Sequence, residues 1–296
     1  MHNLFKHLLA AAVVGVLCAN VFAATINVTV YSNNPAPGDL FSNSGSSNQG
    51  QAVGTSGWYY NNVRNSGEVG IRTNYPFNGN GSVYMKTPSD AAKADIEFLG
   101  NALTTGSPGN FYSVTAIARL SQLESLSYSW YRDSASTAAG HFHPVLRILL
   151  DADGRLETAN DRGGLVWESV YQLGASTTYT APTNKWVTQT VDDDSWLWNF
   201  GLGGTLQDID GDGYAHNSNL AAWKAHFTDA VIIGFNMGLG SGWAGDFIGA
   251  VDNISWTING ITTTTNFEVV PEPTTMALFG LGLLGAAGGL LRRRSA

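Results

Sequence analysis

The sequence predicts an all-β fold, an antiparallel sandwich, with an N-terminal signal peptide before it and a C-terminal transmembrane helix after it. Three observations predict this. Short runs rich in β-branched and aromatic residues recur along the chain, separated by Gly, Asn, Asp and Ser clusters that suit turns. Charged residues are only 13% of the 296 positions, against 35 Gly and nine Trp, a composition that suits a turn-rich extracellular β protein and not a helical cytoplasmic enzyme. The single cysteine, Cys18, lies in an apolar N-terminal run. The body therefore has no disulfide to draw on, and its stability must come from a core or from bound metal.

At the N-terminus, Lys6 and His7 precede an apolar run from Leu8 to Leu17, followed by Val21-Phe22-Ala23. This is the charged, apolar and small-residue order of a secretory signal peptide, 1–23, with cleavage expected after Ala23 and Ala24 as the alternative. Leu17 before Cys18 spoils a lipoprotein reading. Residues 24–261 are expected to form one extracellular sandwich domain. Within it, the Asn/Ser/Gly-rich stretch up to residue 57 is expected to be a loose N-terminal arm. Strands are expected over 68–73, 82–86, 94–99, 113–120, 125–132, 145–151, 155–159, 166–171, 185–191, 230–237 and 247–258. Leu126-Ser127-Tyr128-Ser129-Trp130 alternates strictly, as a half-buried strand does. Asp151-Ala152-Asp153-Gly154 followed by Arg155 suits a hairpin turn. One helix is expected over 220–227, capped by Ser218 or Asn217, with Leu220, Trp223 and Phe227 on one face. Residues 262–270 are expected to be a linker.

The last segment, 271–296, begins Pro271-Glu272-Pro273, carries no charge from Met276 to Leu291, and ends with Arg292, Arg293 and Arg294. As a helix, Met276 to Leu291 would span roughly 24 Å. That is marginal against a hydrocarbon core of about 30 Å, so a transmembrane helix over 274–291 draws in Thr274 and Thr275. The arginines would stay cytoplasmic and leave the body outside. This order of parts resembles the PEP-CTERM sorting signal of Gram-negative, exopolysaccharide-producing bacteria. The resemblance implies an exosortase as processing partner and a destination in the cell envelope, outer surface or extracellular matrix. It says nothing of the activity of the body. A permanent, uncleaved anchor is the alternative.

The formal net charge is −8, and the N-terminal lysine and the terminal arginines account for several of the few basic residues. An acidic body without a basic cluster argues against nucleic acid and against anionic membrane surfaces as partners.

A second resemblance rests on Val231-Ile-Ile-Gly-Phe-Asn-Met-Gly-Leu-Gly-Ser-Gly-Trp243 and on Phe247 to Ile254, with Trp186-Val-Thr-Gln-Thr-Val upstream. These strings look like the closing strands of concanavalin A-like and carbohydrate-binding jelly-roll domains. The resemblance implies a jelly-roll-like sandwich and, by analogy only, glycan binding. No E-x-D-x-x-E strand of the family-16 glucanase type occurs, no G-x-S-x-G elbow and no H-E-x-x-H motif. No catalytic residue is therefore assigned. His141 and His143, at i and i+2, are expected to be ordinary histidines before Pro144.

Asp208-Ile-Asp210-Gly-Asp212-Gly213 matches the first half of a calcium loop, with Asn219 where the bidentate Glu would stand. Asp208, Asp210 and Asp212, together with Asp252 in the last predicted strand, are the candidate Ca²⁺ ligands. The run Asp192–Asp194 suits a solvated loop. Trp196 and Trp198 alternate onto one face, and Trp243 sits between glycines in a predicted loop. These three tryptophans are the candidate sugar-stacking residues, with Trp243 expected to be exposed. The functional expectation is a non-catalytic glycan- or matrix-binding domain. The alternatives are a secreted polysaccharide hydrolase, whose two carboxylates would converge in a cleft, and a purely structural matrix protein.

Overall fold

The computed structural model describes residues 23–104, 109–172, 179–204, 208–211 and 218–271. The strands run β1 (Ala24–Pro35), β2 (Phe41–Asn43), β3 (Gln49–Ala52), β4 (Trp58–Arg64), β5 (Gly67–Arg72) and β6 (Ser82–Thr87). Then follow β7 (Lys93–Phe98), β8 (Ala102–Thr104), β9 (Phe111–Ser113), β10 (Ala118–Arg119), β11 (Leu123–Arg132) and β12 (Val145–Asp151). After β13 (Arg162–Trp167), β14 (Trp186–Val191), β15 (Trp196–Gly201) and β16 (Ser218–Asn219) comes the helix α1 (Leu220–His226). β17 (Val231–Leu239), β18 (Phe247–Ile258) and β19 (Ile261–Val270) follow the helix.

These strands make two facing sheets. One has eight strands in the order β1-β19-β18-β6-β5-β2, with β11 on β18 and β14 on β11. The other has nine in the order β16-β15-β13-β12-β17-β7-β4-β3, with β10 on β17. A two-stranded ribbon, β8-β9, stands apart from both. The protein is an all-β sandwich.

Period-two alternation builds the core between the sheets. Leu126, Tyr128 and Trp130 of β11 are buried on one face, as their alternation predicts. Trp256 of β18 crosses to the other sheet and packs on three rings: Phe235 at 4.8 Å, Phe98 at 5.0 Å and Trp58 at 6.3 Å. Phe267 of β19 meets Trp58 edge-on at 5.0 Å. Large buried aromatics provide the stabilisation that the chain cannot obtain from disulfides.

The structure corrects several expectations. The stretch expected as a loose arm contains β1, β2 and β3, and the expected linker is β19. These two terminal strands pair in parallel, Ala24 with Ile261 and Tyr31 with Glu268, so the sandwich is not purely antiparallel. Ile26, Val28 and Val30 alternate in β1, and β19 is rich in β-branched Thr. Both are strand signals that the surrounding Asn and Ser content obscured. Asp39 ties the end of β1 to the core: its carboxylate accepts the N–H groups of Asn33 and Asn34 and the hydroxyl of the buried Tyr60. Residues 155–159 are not a strand; β12 returns in β13, after a longer connection than the four-residue turn expected. The helix is present, but its cap is Asn219, whose side chain accepts from the Ala222 N–H at 2.8 Å. Asn217 lies outside the described residues.

Among the described residues no helix is long and apolar enough to cross a membrane. The span expected at 274–291 and most of the signal peptide lie outside them. Ala23, the expected cleavage point, is exposed immediately before β1.

Because β19 is part of the core, Phe267→Ala should cost about 3–5 kcal/mol of stability, as for other buried Phe truncations. Urea unfolding of the variant against wild type checks this, and an unchanged midpoint would return 262–270 to the status of a linker.

Candidate functional site

Strand β7 reads Lys93-Ala94-Asp95-Ile96-Glu97-Phe98. Ala94 and Ile96 face the core, so Lys93, Asp95 and Glu97 must share the opposite face of the nine-stranded sheet. On that face the strand register aligns one row across six strands. Tyr59 pairs with Glu97, Glu97 with Asn236, Asn236 with Arg147, Arg147 with Val166, and Val166 with Trp198. At roughly 4.8 Å per strand the row is about 24 Å long. A second row beside it runs Gly234, Leu149, Gly164, Phe200. A Cβ on Gly164 would lie 2.9 Å from the Phe200 ring, so the glycine leaves the space that this ring occupies.

The polar side chains of the first row hold one another. Asn62 donates from Nδ2 to Asp95 Oδ2 at 2.9 Å and to Glu97 Oε1 at 2.6 Å. Asn236 donates to the same two oxygens at 3.0 and 2.6 Å, and Asn61 donates to Glu97 Oε2. Arg147 donates to Asn236 Oδ1 at 2.5 Å and lies 3.5 Å from Asp95, which also pairs with Lys93 at 3.1 Å. Burial, and then the neighbouring Asp95, push the Glu97 carboxyl above its ordinary range, while the Asn61 and Asn236 amides and Lys93 oppose the shift. Burial likewise raises Glu168, which Arg147 and the indole N–H of Trp198 hold back.

Asn61 also fixes the wall of this site. Its side chain bonds the backbone of Phe111 in both directions, each at 2.9 Å, as a neighbouring strand would. Asn62, at φ +52°, exchanges two hydrogen bonds with Asn110. The ribbon β8-β9 is thereby held over the row. Between ribbon and sheet lies a groove with a cavity volume of about 190 Å³, lined by Glu97, Asn236, Arg147, Tyr112 and Phe200 among others. Tyr112 and Phe200 are each 38% exposed, so their rings are available in it. A second cleft, of about 490 Å³, continues on the other side of Tyr112 and is walled by residues 156–159 and Arg162.

The candidates named from the sequence are dispersed. Trp198 ends the polar row, half-buried, with its N–H on Glu168 at 3.2 Å. Trp196 is half-buried one pair further along β15 and exchanges backbone bonds with the Gln172 side chain. Trp243 is only 5% exposed and stacks on Phe142 at 4.4 Å and 7°, so the expectation of an exposed ring is wrong. Gly240 permits this fold-back, since a Cβ there would lie 2.7 Å from the indole nitrogen. His143 is buried against Trp130, and its ring nitrogens engage Pro144 O and the Ser169 N–H. Burial lowers its pKa to about 4.

Asp208 closes its own turn by accepting the Gly211 N–H at 2.9 Å, Asp210 stands in the same turn, and Asp212 lies outside the described residues. Asp252 is buried where β19 and β6 both meet β18. Its Oδ1 accepts the N–H groups of Asn253 at 2.7 Å and Phe267 at 3.0 Å, and its Oδ2 that of Asn78 at 3.4 Å, so both oxygens are engaged by the backbone. Pro271 is exposed directly after β19. Glu272, Pro273, Arg292, Arg293 and Arg294 lie outside the described residues. The row on β7 was missed in the sequence, although three charged residues alternating with Ala94, Ile96 and Phe98 carried the signal.

The fold and site define an all-β sandwich with a polar groove on one sheet. The chain carries a PEP-CTERM protein-sorting motif, matched over residues 269–294, which marks it for export, envelope sorting and exosortase processing. No curated protein matches the chain. Among solved structures it is similar to a family 11 carbohydrate-binding module from Clostridium thermocellum in complex with a β-1,3-1,4-mixed-linked tetrasaccharide. That match has 13% identity over 72% of this chain and 96% of that one, at TM-score 0.35. It is also similar to the family 11 module of the cellulase Lic26A-Cel5E of Clostridium thermocellum, at 12% identity over 79% and 96% and TM-score 0.34. A third is the cellulose induced protein Cip1, at 13% identity over 70% and 88% and TM-score 0.32. At these scores the sandwich rests on the chain's own strand pairing.

Burial pushes the Asp252 carboxyl up to about 7. A raised acid pKa means that the fold prefers the protonated form, so this contribution is complete below the unfolded value of about 3.9 and is lost as pH rises through 7. Asp252→Asn keeps an oxygen for the two N–H groups and carries no charge. Its urea midpoint should exceed that of wild type at about pH 8 and converge with it near pH 4. Parallel profiles for the two proteins would reject the assignment.

Proposed function

We propose that the domain is a non-catalytic glycan-binding module that grips a polysaccharide chain in the groove beneath the β8-β9 ribbon. The observation that carries this is the pairing of exposed rings with a fixed polar floor. Tyr112 and Phe200 present flat apolar faces of the kind that stack on pyranose rings. Asn62 and Arg147 line the groove with directions already fixed by hydrogen bonds to the buried Glu97 and Asn236 beneath them. Such preorganisation lowers the ordering cost of binding. A trough of side-chain amide and guanidinium donors over buried, neutralised carboxylates suits a neutral or hydroxyl-rich chain. With the sorting motif, the most fitting destination is the cell envelope or the exopolysaccharide layer, with a matrix glycan as ligand.

The hydrolase reading has one observation in its favour, the raised Glu97 beside Asp95. The geometry weighs against it. Asp95 and Glu97 accept from the same two amide nitrogens, so their oxygens stand side by side on one strand. A glycosidase pair flanks the scissile bond from opposite sides. Asp95 is moreover 0% exposed and Glu97 4%, out of reach of a substrate bond.

The test is isothermal titration of the purified protein with a panel of soluble polysaccharides, neutral glucans and acidic exopolysaccharides included. Tyr112→Ala and Phe200→Ala should each weaken binding by roughly tenfold or more, as loss of a stacking ring does. No binding across the panel, or variants that bind as wild type does, overturns the proposal. Steady release of reducing ends from a bound glycan would replace it with the hydrolase.

A further inference from the structure

The connection from β12 to β13 carries three aspartates: Asp151 at the end of β12, Asp153 in the turn and Asp161 just before β13. One carboxylate oxygen from each lies within 4.8 Å of the others. Asp151 is 0% exposed. Its Oδ2 pairs with Arg162 Nε at 3.2 Å, whereas its Oδ1 is buried with no hydrogen-bond partner. Asp161 repeats the pattern. Its Oδ2 accepts the Asp153 N–H at 2.9 Å, and its Oδ1 is also buried without a partner. Buried polar oxygens are almost always satisfied, because leaving one bare forfeits its hydration with no return. Here two such oxygens belong to one acidic cluster, and the one guanidinium within it is already committed to Asp151 and to Leu156 O.

We propose that Asp151, Asp153 and Asp161 form a binding site for a hard divalent cation, with Ca²⁺ as the fitting ion. The donor set is oxygen alone, which selects Ca²⁺ or Mg²⁺ over softer metals. Oxygens ligating Ca²⁺ at about 2.3–2.6 Å stand no more than about 5 Å apart, and the cluster meets that limit. Three carboxylates at irregular positions on one connection suit the looser geometry of Ca²⁺ over the strict octahedron of Mg²⁺. The turn itself is fixed. Gly154 has φ +71°, and a Cβ there would lie 2.6 Å from Asp229 O, so Asp153 is carried on a bend that only glycine allows. Three carboxylates held this close repel one another, and a cation between them relieves that repulsion. The ion ties the end of β12 to the start of β13 and holds 156–159, one wall of the cleft beside Tyr112. This site is distinct from the 208–213 turn, and it stands or falls independently of glycan binding.

The purified protein, stripped with EDTA, is titrated with CaCl₂ and separately with MgCl₂ by calorimetry and thermal unfolding. The expected result is one calcium ion bound with a rise in Tm, and a weaker response to magnesium. Asp161→Asn should reduce calcium affinity by at least roughly tenfold, since ligand charge sets affinity over decades. Metal-free Asp161→Asn should unfold at or above the Tm of metal-free wild type, which separates lost ligation from lost folding. Asp208→Asn should bind calcium as wild type does. The absence of both binding heat and a Tm shift at millimolar calcium overturns the site. So does calcium binding that Asp161→Asn keeps, or that Asp208→Asn abolishes.

Discussion

Strand β18 must satisfy more neighbours than a strand has edges, and the rest of the sandwich is arranged around that requirement. One edge is occupied by β11 along most of its length. The other is divided: Phe247 to Val251 pair with β6, and Ile254 to Ile258 pair with β19. At the division, backbone N–H groups lose their ladder partners, and a buried unpaired N–H is costly. Asp252 resolves this from the strand itself by accepting the N–H groups of Asn253 and Phe267. The fork lets one sheet accept both the β6-β5-β2 branch and the pair of terminal strands. It also positions Trp256, just beyond it, over Phe98 and Phe235 of the facing sheet.

The facing sheet solves a related problem on its outer surface. Asp95 and Glu97 lie in the middle of the sheet beneath a covering ribbon, where isolated carboxylates would be expensive. Three asparagines, a lysine and an arginine surround them, and two of those asparagines, Asn61 and Asn62, hold the ribbon through Phe111 and Asn110. The network that makes two buried acids tolerable is therefore also the one that shapes the groove. Its side chains are already spoken for by one another, which fixes their directions before any ligand arrives.

Much of the sandwich was legible in local pattern. The alternation at 126–130, the runs on either side of residue 235 and the short helix before it each announce their element. The terminal strands were not. A parallel pairing between the first and last strands leaves no trace in either one alone, and Asn and Thr are as common in tethers as in edge strands. Trp243 was misjudged because flanking glycines suggest exposure, whereas here they let the ring fold back onto Phe142. The acids of β7 were legible as a strand but not as a site, because their meaning depends on Asn62, Arg147 and Asn236 from three other strands. In the same way, Asp151 and Asp153 look like ordinary turn residues until Asp161 returns beside them.

The parallel pairing of β1 with β19 has a consequence for the order of events during export. A chain that crosses a membrane from its N-terminus delivers β1 first and β19 last. Among the described residues β1 is flanked in the finished sheet by β19 alone, so it has no described strand to join until β19 emerges. Closure of the eight-stranded sheet thus reports that the whole body has crossed. Because Pro271 follows β19 without an intervening tether, that report is made at the doorstep of the sorting signal.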